Sequence, residues 1–317
     1  MYDAAARERM REDVRKGLSR SQKEIPPVYF YDERGSELFE EITRQPEYYL
    51  TETERRLLRR HMPAWTREVG TRALVELGAG NADKTRVILD AMVESGTGEL
   101  YVPVDVSADF LEATVERLAG EYPTLDVRAA VADMTQQVEI RVPLPEPAVF
   151  ALLGSTMGNF EEDASVELLS RISGKMRPRD RLLLGVDLRK EAARIEAAYN
   201  DAAGVTALFN RNVLRVMNRE LGADFAPDSF AHHAFYDRTE GRIEMHLVSD
   251  RAQTVHVPGA GSFSFEKGET IRTEISAKYD RAGVEGLFSA AGLSLSRWAE
   301  DEAGLYAIIL ATSEEPG

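Results

Sequence analysis

The sequence predicts an α/β fold: a doubly wound, mostly parallel sheet joined to a second, smaller α+β domain. Three observations predict it. Between residues 74 and 188 short apolar runs alternate with helical stretches, the rhythm of parallel βαβ units. Several of these runs end in Gly or Asp, as strands do at a sheet edge that meets a ligand. Beyond residue 190 the rhythm breaks into a long helical region and then into alternating, strand-like segments.

The elements follow in order. Residues 3–18 are charged and helical, without a marked apolar face. Pro26-Pro27 punctuates, and an aromatic-rich stretch follows, in which Ser36 with Leu38, Phe39 and Ile42 reads as a capped amphipathic helix. Residues 74–77 form a first strand ending in Gly78-Ala79-Gly80, and Asp83 opens a helix bearing Val87, Ile88, Ala91 and Met92. Residues 101–104 are a second strand ended by Asp105, and Ser107 caps the next helix. Residues 127–131, followed by Asp133, and residues 148–153, followed by Gly154, give a third and a fourth strand. A helix over 165–176 leads to a fifth strand over 182–188. The stretch 190–222 reads as helical, 242–257 as a hairpin and 270–279 as a strand. A helix over 281–291 and late strands over 293–298 and 305–311 end the chain. This predicts one α/β domain from residues 60–195 and 280–317, with residues 1–59 and 196–279 forming the other.

Composition narrows the function. The 317 residues are 43% hydrophobic and 29% charged, an ordinary globular balance. No cysteine is present, which excludes thiolate metal sites, disulfides and a Cys nucleophile. A formal net charge of −15 argues against nucleic acid as a partner. No stretch reads as a signal peptide or as a membrane helix, so the expectation is a cytoplasmic protein away from membranes. Adjacent His232 and His233 lack acidic residues at ligand spacing, so they read as loop residues and no metal is expected.

The run LVELGAGNADKT admits three readings. A phosphate-binding loop fails because Asp83 stands where its second glycine belongs. A dinucleotide fingerprint is weakened by the same residue at its third glycine. A phosphate-free nucleoside cofactor fits best. Gly78 and Gly80 allow a tight turn and close backbone approach, Asp105 is spaced to accept from ribose hydroxyls, and Asp133 is placed for the adenine amino group. A sulfonium cation tolerates these carboxylates, which points to S-adenosylmethionine. Lys84 suits the cofactor's carboxylate, or is a solvated first-turn lysine.

Six stretches, FYDERGSELFEEITRQPEYYLTETE, LVELGAGNADKT, LLGSTMGNF, AYNDAAGVTALFNRNVL, RIEMHL and TEISAKY, in that order, resemble the histidine-specific Nα-methyltransferases of ergothioneine biosynthesis. The resemblance runs from about Pro26 to the C-terminus. It implies a Rossmann-like methyltransferase sheet and a separate substrate-binding domain. It also implies transfer of three methyl groups from S-adenosylmethionine to the α-amino nitrogen of L-histidine, giving hercynine. Apart from the resemblance, a monomer is the expectation. Carried over by motif, Gly78, Lys84, Asp105, Asp133 and Met134 contact the cofactor. Tyr48, Asn159, Tyr199, Glu274 and Ser276 hold histidine, Phe39 and Met245 line its pocket, and Tyr31 lies beside the reacting amine. Met134 where the family often has an aromatic, Met157 within GSTMGN and the single Trp298 are mild departures.

Period-two alternation puts Glu274 and Ser276 on one strand face with Arg272 and Lys278. Alone, that pattern reads as a solvated polar face; with the resemblance, Glu274 and Ser276 become a clamp for the imidazole nitrogens. Met245, alternating with Ile243 and Leu247, also suits plain core packing. The expected chemistry is in-line displacement by the neutral amine, with no metal and no covalent intermediate, and Tyr31 as positioner first and proton relay second. Methylation of tryptophan or tyrosine, a non-enzymatic cofactor-binding module and a nicotinamide dehydrogenase are the competing readings.

Overall fold

The computed structural model describes residues 3–106, 108–132, 134 and 142–313, with the backbone alone for 108–110. The chain divides into two compact units, one of Met1–Tyr49 with Lys190–Ala277 and one of Leu50–Arg189 with Lys278–Gly317. The first boundary falls at Tyr49/Leu50 rather than at 59/60, because Leu50–Val69 is one unbroken helix.

The larger unit is built on a single sheet. Its order is Leu293–Glu300, Tyr306–Ser313, Arg181–Asp187, Ala148–Leu152, Ala73–Leu77, Leu100–Asp105 and Asp126–Val127, with Ala130–Val131 also paired to Leu100–Asp105. The expected third strand is thus two short pieces. Pairing is parallel except at the two late strands, which run antiparallel. Ala73–Leu77 and Ala148–Leu152 are buried at every position. This is the reason they read as continuous apolar runs and not as alternating ones. Leu168, Leu169 and Ile172 from helix Glu162–Ser173 join Val284, Leu287 and Phe288 from Arg281–Ala290 in one core with the sheet. Helix Leu50–Val69 packs instead against helix Arg86–Glu94 and strand Tyr306–Ser313. Strand order reverses between Ala73–Leu77 and Ala148–Leu152, the switch point where ligands bind at the carboxyl ends of such sheets.

The smaller unit holds a four-stranded sheet in the order Lys23–Glu24, Thr270–Ala277, Arg242–Ser249, Phe230–Asp237. Helices Ala4–Leu18, Glu33–Ile42, Ala192–Tyr199 and Val205–Leu221 accompany it. The cap of Glu33–Ile42 is Asp32, not Ser36: Asp32 is extended and its carboxylate accepts the Gly35 amide at 2.7 Å. Residues 242–257 are not a hairpin. Arg242–Ser249 pairs with Phe230–Asp237 and with Thr270–Ala277, whereas Gln253–Val257 pairs with Gly261–Phe265 in a separate sheet. The turns that matter hold Gly241 (φ 66°) and Gly259 (φ 77°), which lie either side of the segment read as one hairpin. His232 and His233 lie within strand Phe230–Asp237 rather than in a loop.

Candidate active site

In the larger unit the glycine turn closes directly on the ribose-range acid. Gly78 and Gly80 have φ of 72° and 53°, a region side chains disfavour. The Gly80 amide donates to Asp105 Oδ2 at 3.1 Å and the Val106 amide to Oδ1 at 2.8 Å. These two bonds hold the Asp105 carboxylate at the end of its strand, beside the glycine turn. A Cβ on Gly78 would come within 2.8 Å of Met134 Cε, so Met134 lies against this turn. Asp133 and Ser107 lie outside the described residues. The donor and acceptor set fits a nucleoside-bearing sulfonium.

Lys84 is half-buried and not alone. Its ammonium pairs with Glu54, whose side chain is fully buried. Glu54 Oε1 also accepts the Gly154 amide and the Tyr306 hydroxyl, each at 2.8 Å. One buried carboxylate therefore joins Lys84, the turn after strand Ala148–Leu152 and the strand Tyr306–Ser313. Gly154 has φ of 74°, and a Cβ there would lie 3.0 Å from Lys84 Nζ. Sequence reasoning missed Glu54, although a signal existed: it occupies the stripe of Leu50, Leu57 and Leu58, where an acid is out of place.

A second buried acid underlies the turn. Glu76 accepts from the Thr85 and Tyr101 hydroxyls, both at 2.6 Å, and burial pushes its carboxyl up to about 7. Asn159 ends the short 3₁₀ turn Thr156–Asn159, half-buried, next to a left-handed Ser155 (φ 56°) whose hydroxyl accepts the Asp187 amide at 3.0 Å. Met157 is buried in the core, which accounts for an apolar residue inside GSTMGN.

In the smaller unit the expected aromatics form one continuous chain. Ring centroids lie 5.8 Å apart for Tyr31 and Phe39, 6.3 Å for Phe39 and Tyr48, and 6.4 Å for Tyr48 and Tyr199, all edge to face. Phe209, not anticipated, backs Tyr31 at 5.7 Å and Phe39 at 6.0 Å.

On the neighbouring sheet Glu274 stands opposite Met245 and Ser276 opposite Ile243. Glu274 does not share a face with Arg272, because a bulge at Thr273 intervenes: Arg272 opposes His246 and Glu274 opposes Met245, adjacent residues that face opposite ways. Arg272 pairs with Glu24 at 2.9 Å and Glu244 at 3.6 Å. Lys278 belongs to the larger unit, in a fully buried pair with Asp187 at 2.9 Å. His232 Nε2 meets the Tyr199 carbonyl at 2.8 Å, and burial holds its imidazole below the ordinary range. Among the described residues no group of three or more His, Asp or Glu could hold a metal ion, and no helix is long and apolar enough to cross a membrane.

A doubly wound, mostly parallel sheet with a glycine turn and a carboxylate at its switch point is a Rossmann-like, nucleoside-binding arrangement, and the family match makes its class S-adenosylmethionine-dependent methyltransferase. A profile described as "Histidine-specific methyltransferase, SAM-dependent" matches residues 10–313, and the chain belongs to that family. It is 43% identical over 303 residues to a histidine N-alpha-methyltransferase of Mycobacterium tuberculosis, covering 95% of this chain and 94% of the relative. Its identity to a protein of the same name from Mycolicibacterium smegmatis is 42%, over 98% of this chain and 96% of the relative. A more distant relative, the L-tryptophan methyltransferase trpM of Psilocybe serbica, is 28% identical, over 90% of this chain and 87% of the relative.

Proposed function

We propose that the enzyme methylates the α-amino nitrogen of L-histidine three times to give hercynine. The observation that carries this reading is the row of Met245, Glu274 and Ser276 on one sheet face, in a unit that also holds the aromatic chain from Tyr31 to Tyr199. A carboxylate and a hydroxyl spaced i, i+2 on a strand suit the two imidazole nitrogens. Such a pair favours a ligand that offers ring N–H donors over one that offers none.

The smaller unit is proposed to bind the amino acid, and the larger one the cofactor through Gly78, Lys84, Asp105, Asp133 and Met134. When bound, S-adenosylmethionine supplies an electrophilic methyl group. Asn159 is proposed to meet the substrate's carboxylate or amine. A free α-amino group has a pKa of about 7.7–8.0, so the neutral amine is accessible near neutrality without a strong base. Tyr31 is assigned to orient that amine. The faces of Tyr31, Phe39 and Tyr48 suit the methylated, cationic intermediates, at about 0.5–2 kcal/mol for each ring. Most of the acceleration is assigned to alignment. The reading includes a monomeric, cytoplasmic enzyme.

Incubation with methyl-labelled S-adenosylmethionine and each amino acid in turn tests it. Label should enter histidine and reach the trimethylated product by mass. Label in tryptophan or tyrosine instead would replace the substrate, an outcome the trpM relative makes worth measuring.

A further inference from the structure

Asn210 is fully buried on helix Val205–Leu221, and its amide is bonded on every side. Its Nδ2 donates to the His246 carbonyl at 3.1 Å and to His232 Nδ1 at 2.8 Å. Its Oδ1 accepts the Thr273 hydroxyl at 2.7 Å, and that hydroxyl also reaches the Met245 carbonyl at 3.1 Å. The carbonyl partner fixes which end of the amide is nitrogen. His232 Nε2 must donate to the Tyr199 carbonyl, which only accepts. Its Nδ1 is therefore an acceptor, matching the Asn210 amide hydrogen.

The network thus has two arms. One runs through Thr273, the extra residue of the bulge and itself 1% exposed. That bulge separates Glu274 from Arg272 and sets Glu274 opposite Met245. The other arm runs through His232 to the backbone of Tyr199. Bulges re-aim neighbouring side chains, and a fully satisfied buried network specifies one arrangement. A leucine at 210 would fill the same space without holding either arm.

We infer that Asn210 is a positioning residue that presets Glu274, through the Thr273 bulge, for the substrate's imidazole and Tyr199, through His232, for the bound histidine. The inference rests on the histidine reading above.

The test compares Thr273→Val, which keeps shape and loses the hydroxyl, with Thr273→Ser, which keeps the hydroxyl. Steady-state kinetics and cofactor binding are measured for both and for the wild type. Thr273→Val should raise the KM for histidine tenfold or more, with kcat within threefold and cofactor affinity unchanged; Thr273→Ser should restore the KM. Equal KM values in the two variants, or a parallel loss of cofactor affinity, would overturn the inference. Should Thr273→Val not fold, Asn210→Ser is measured instead, with the same split expected and the same overturning results. A wild type that takes no histidine removes the functional reading and this inference together. A wild type that takes it while Thr273→Val is unaffected removes the inference alone.

Discussion

Arg272 and Glu274 lie two residues apart on one strand and face opposite sides of the sheet. Their separation is the work of one inserted residue, and it gives Arg272 to Glu24 and Glu244 on the far face. Glu274 is left on the face of Met245 and Ser276, the face proposed to receive the imidazole.

Glu274→Gln should therefore weaken histidine binding about 10- to 100-fold, the range of a charge-assisted hydrogen bond worth about 1.5–3 kcal/mol. Calorimetric titration with histidine checks this, and cofactor affinity should not move. Unchanged histidine affinity would place the clamp elsewhere.

Glu54→Gln removes the counter-charge of Lys84 inside the larger unit. Breaking a buried pair costs about 3–5 kcal/mol; Lys84 is 23% exposed, which favours the low end of that range. Thermal melts should show the loss, and cofactor affinity should fall because the ammonium loses its anchor. The double variant with Lys84→Met should recover part of the stability but not the affinity, a non-additivity that a pair in contact predicts.

Glu76 gives a pH signature. Its folded pKa is raised from 4.5 to about 7, so between these values the folded state binds more protons than the unfolded chain. Its contribution falls as pH rises through that window, by about 3 kcal/mol in all. Glu76→Gln mimics the protonated form. Denaturant titrations should show the variant gaining on the wild type from pH 4.5 to 8; a constant difference would mean that Glu76 does not titrate there.

Tyr31→Phe keeps the ring contacts with Phe39 and Phe209. If Tyr31 orients the amine, kcat should fall less than tenfold and the pH–rate profile should keep its shape. A loss beyond a hundredfold with an altered profile would make Tyr31 a proton carrier.

The parts legible in the sequence were those with local signals. The glycine turn and Asp105 stood out because each ends a continuous apolar run, the pattern of a strand buried on both faces. The bulge did not, because period-two reading has no place for an extra residue and so put Arg272 beside Glu274. His232 was invisible as a buried network member, since its partners Asn210 and Tyr199 come from two separate helices. Glu54 had a local signal, but its meaning depended on Lys84, Gly154 and Tyr306, up to 252 residues away.

The order of strands also bears on how the chain is made. Strand Tyr306–Ser313 is interior to its sheet, between Arg181–Asp187 and Leu293–Glu300. During synthesis from the N-terminus, the apolar edge of Arg181–Asp187, with Leu182, Leu183 and Leu184, waits unpaired until residues 306–313 emerge, more than a hundred residues later. Such an edge is a template for association with other chains. Truncation before residue 306 should therefore yield an aggregating nascent product instead of a smaller enzyme, and expression should depend on shielding that edge until Tyr306–Ser313 is made.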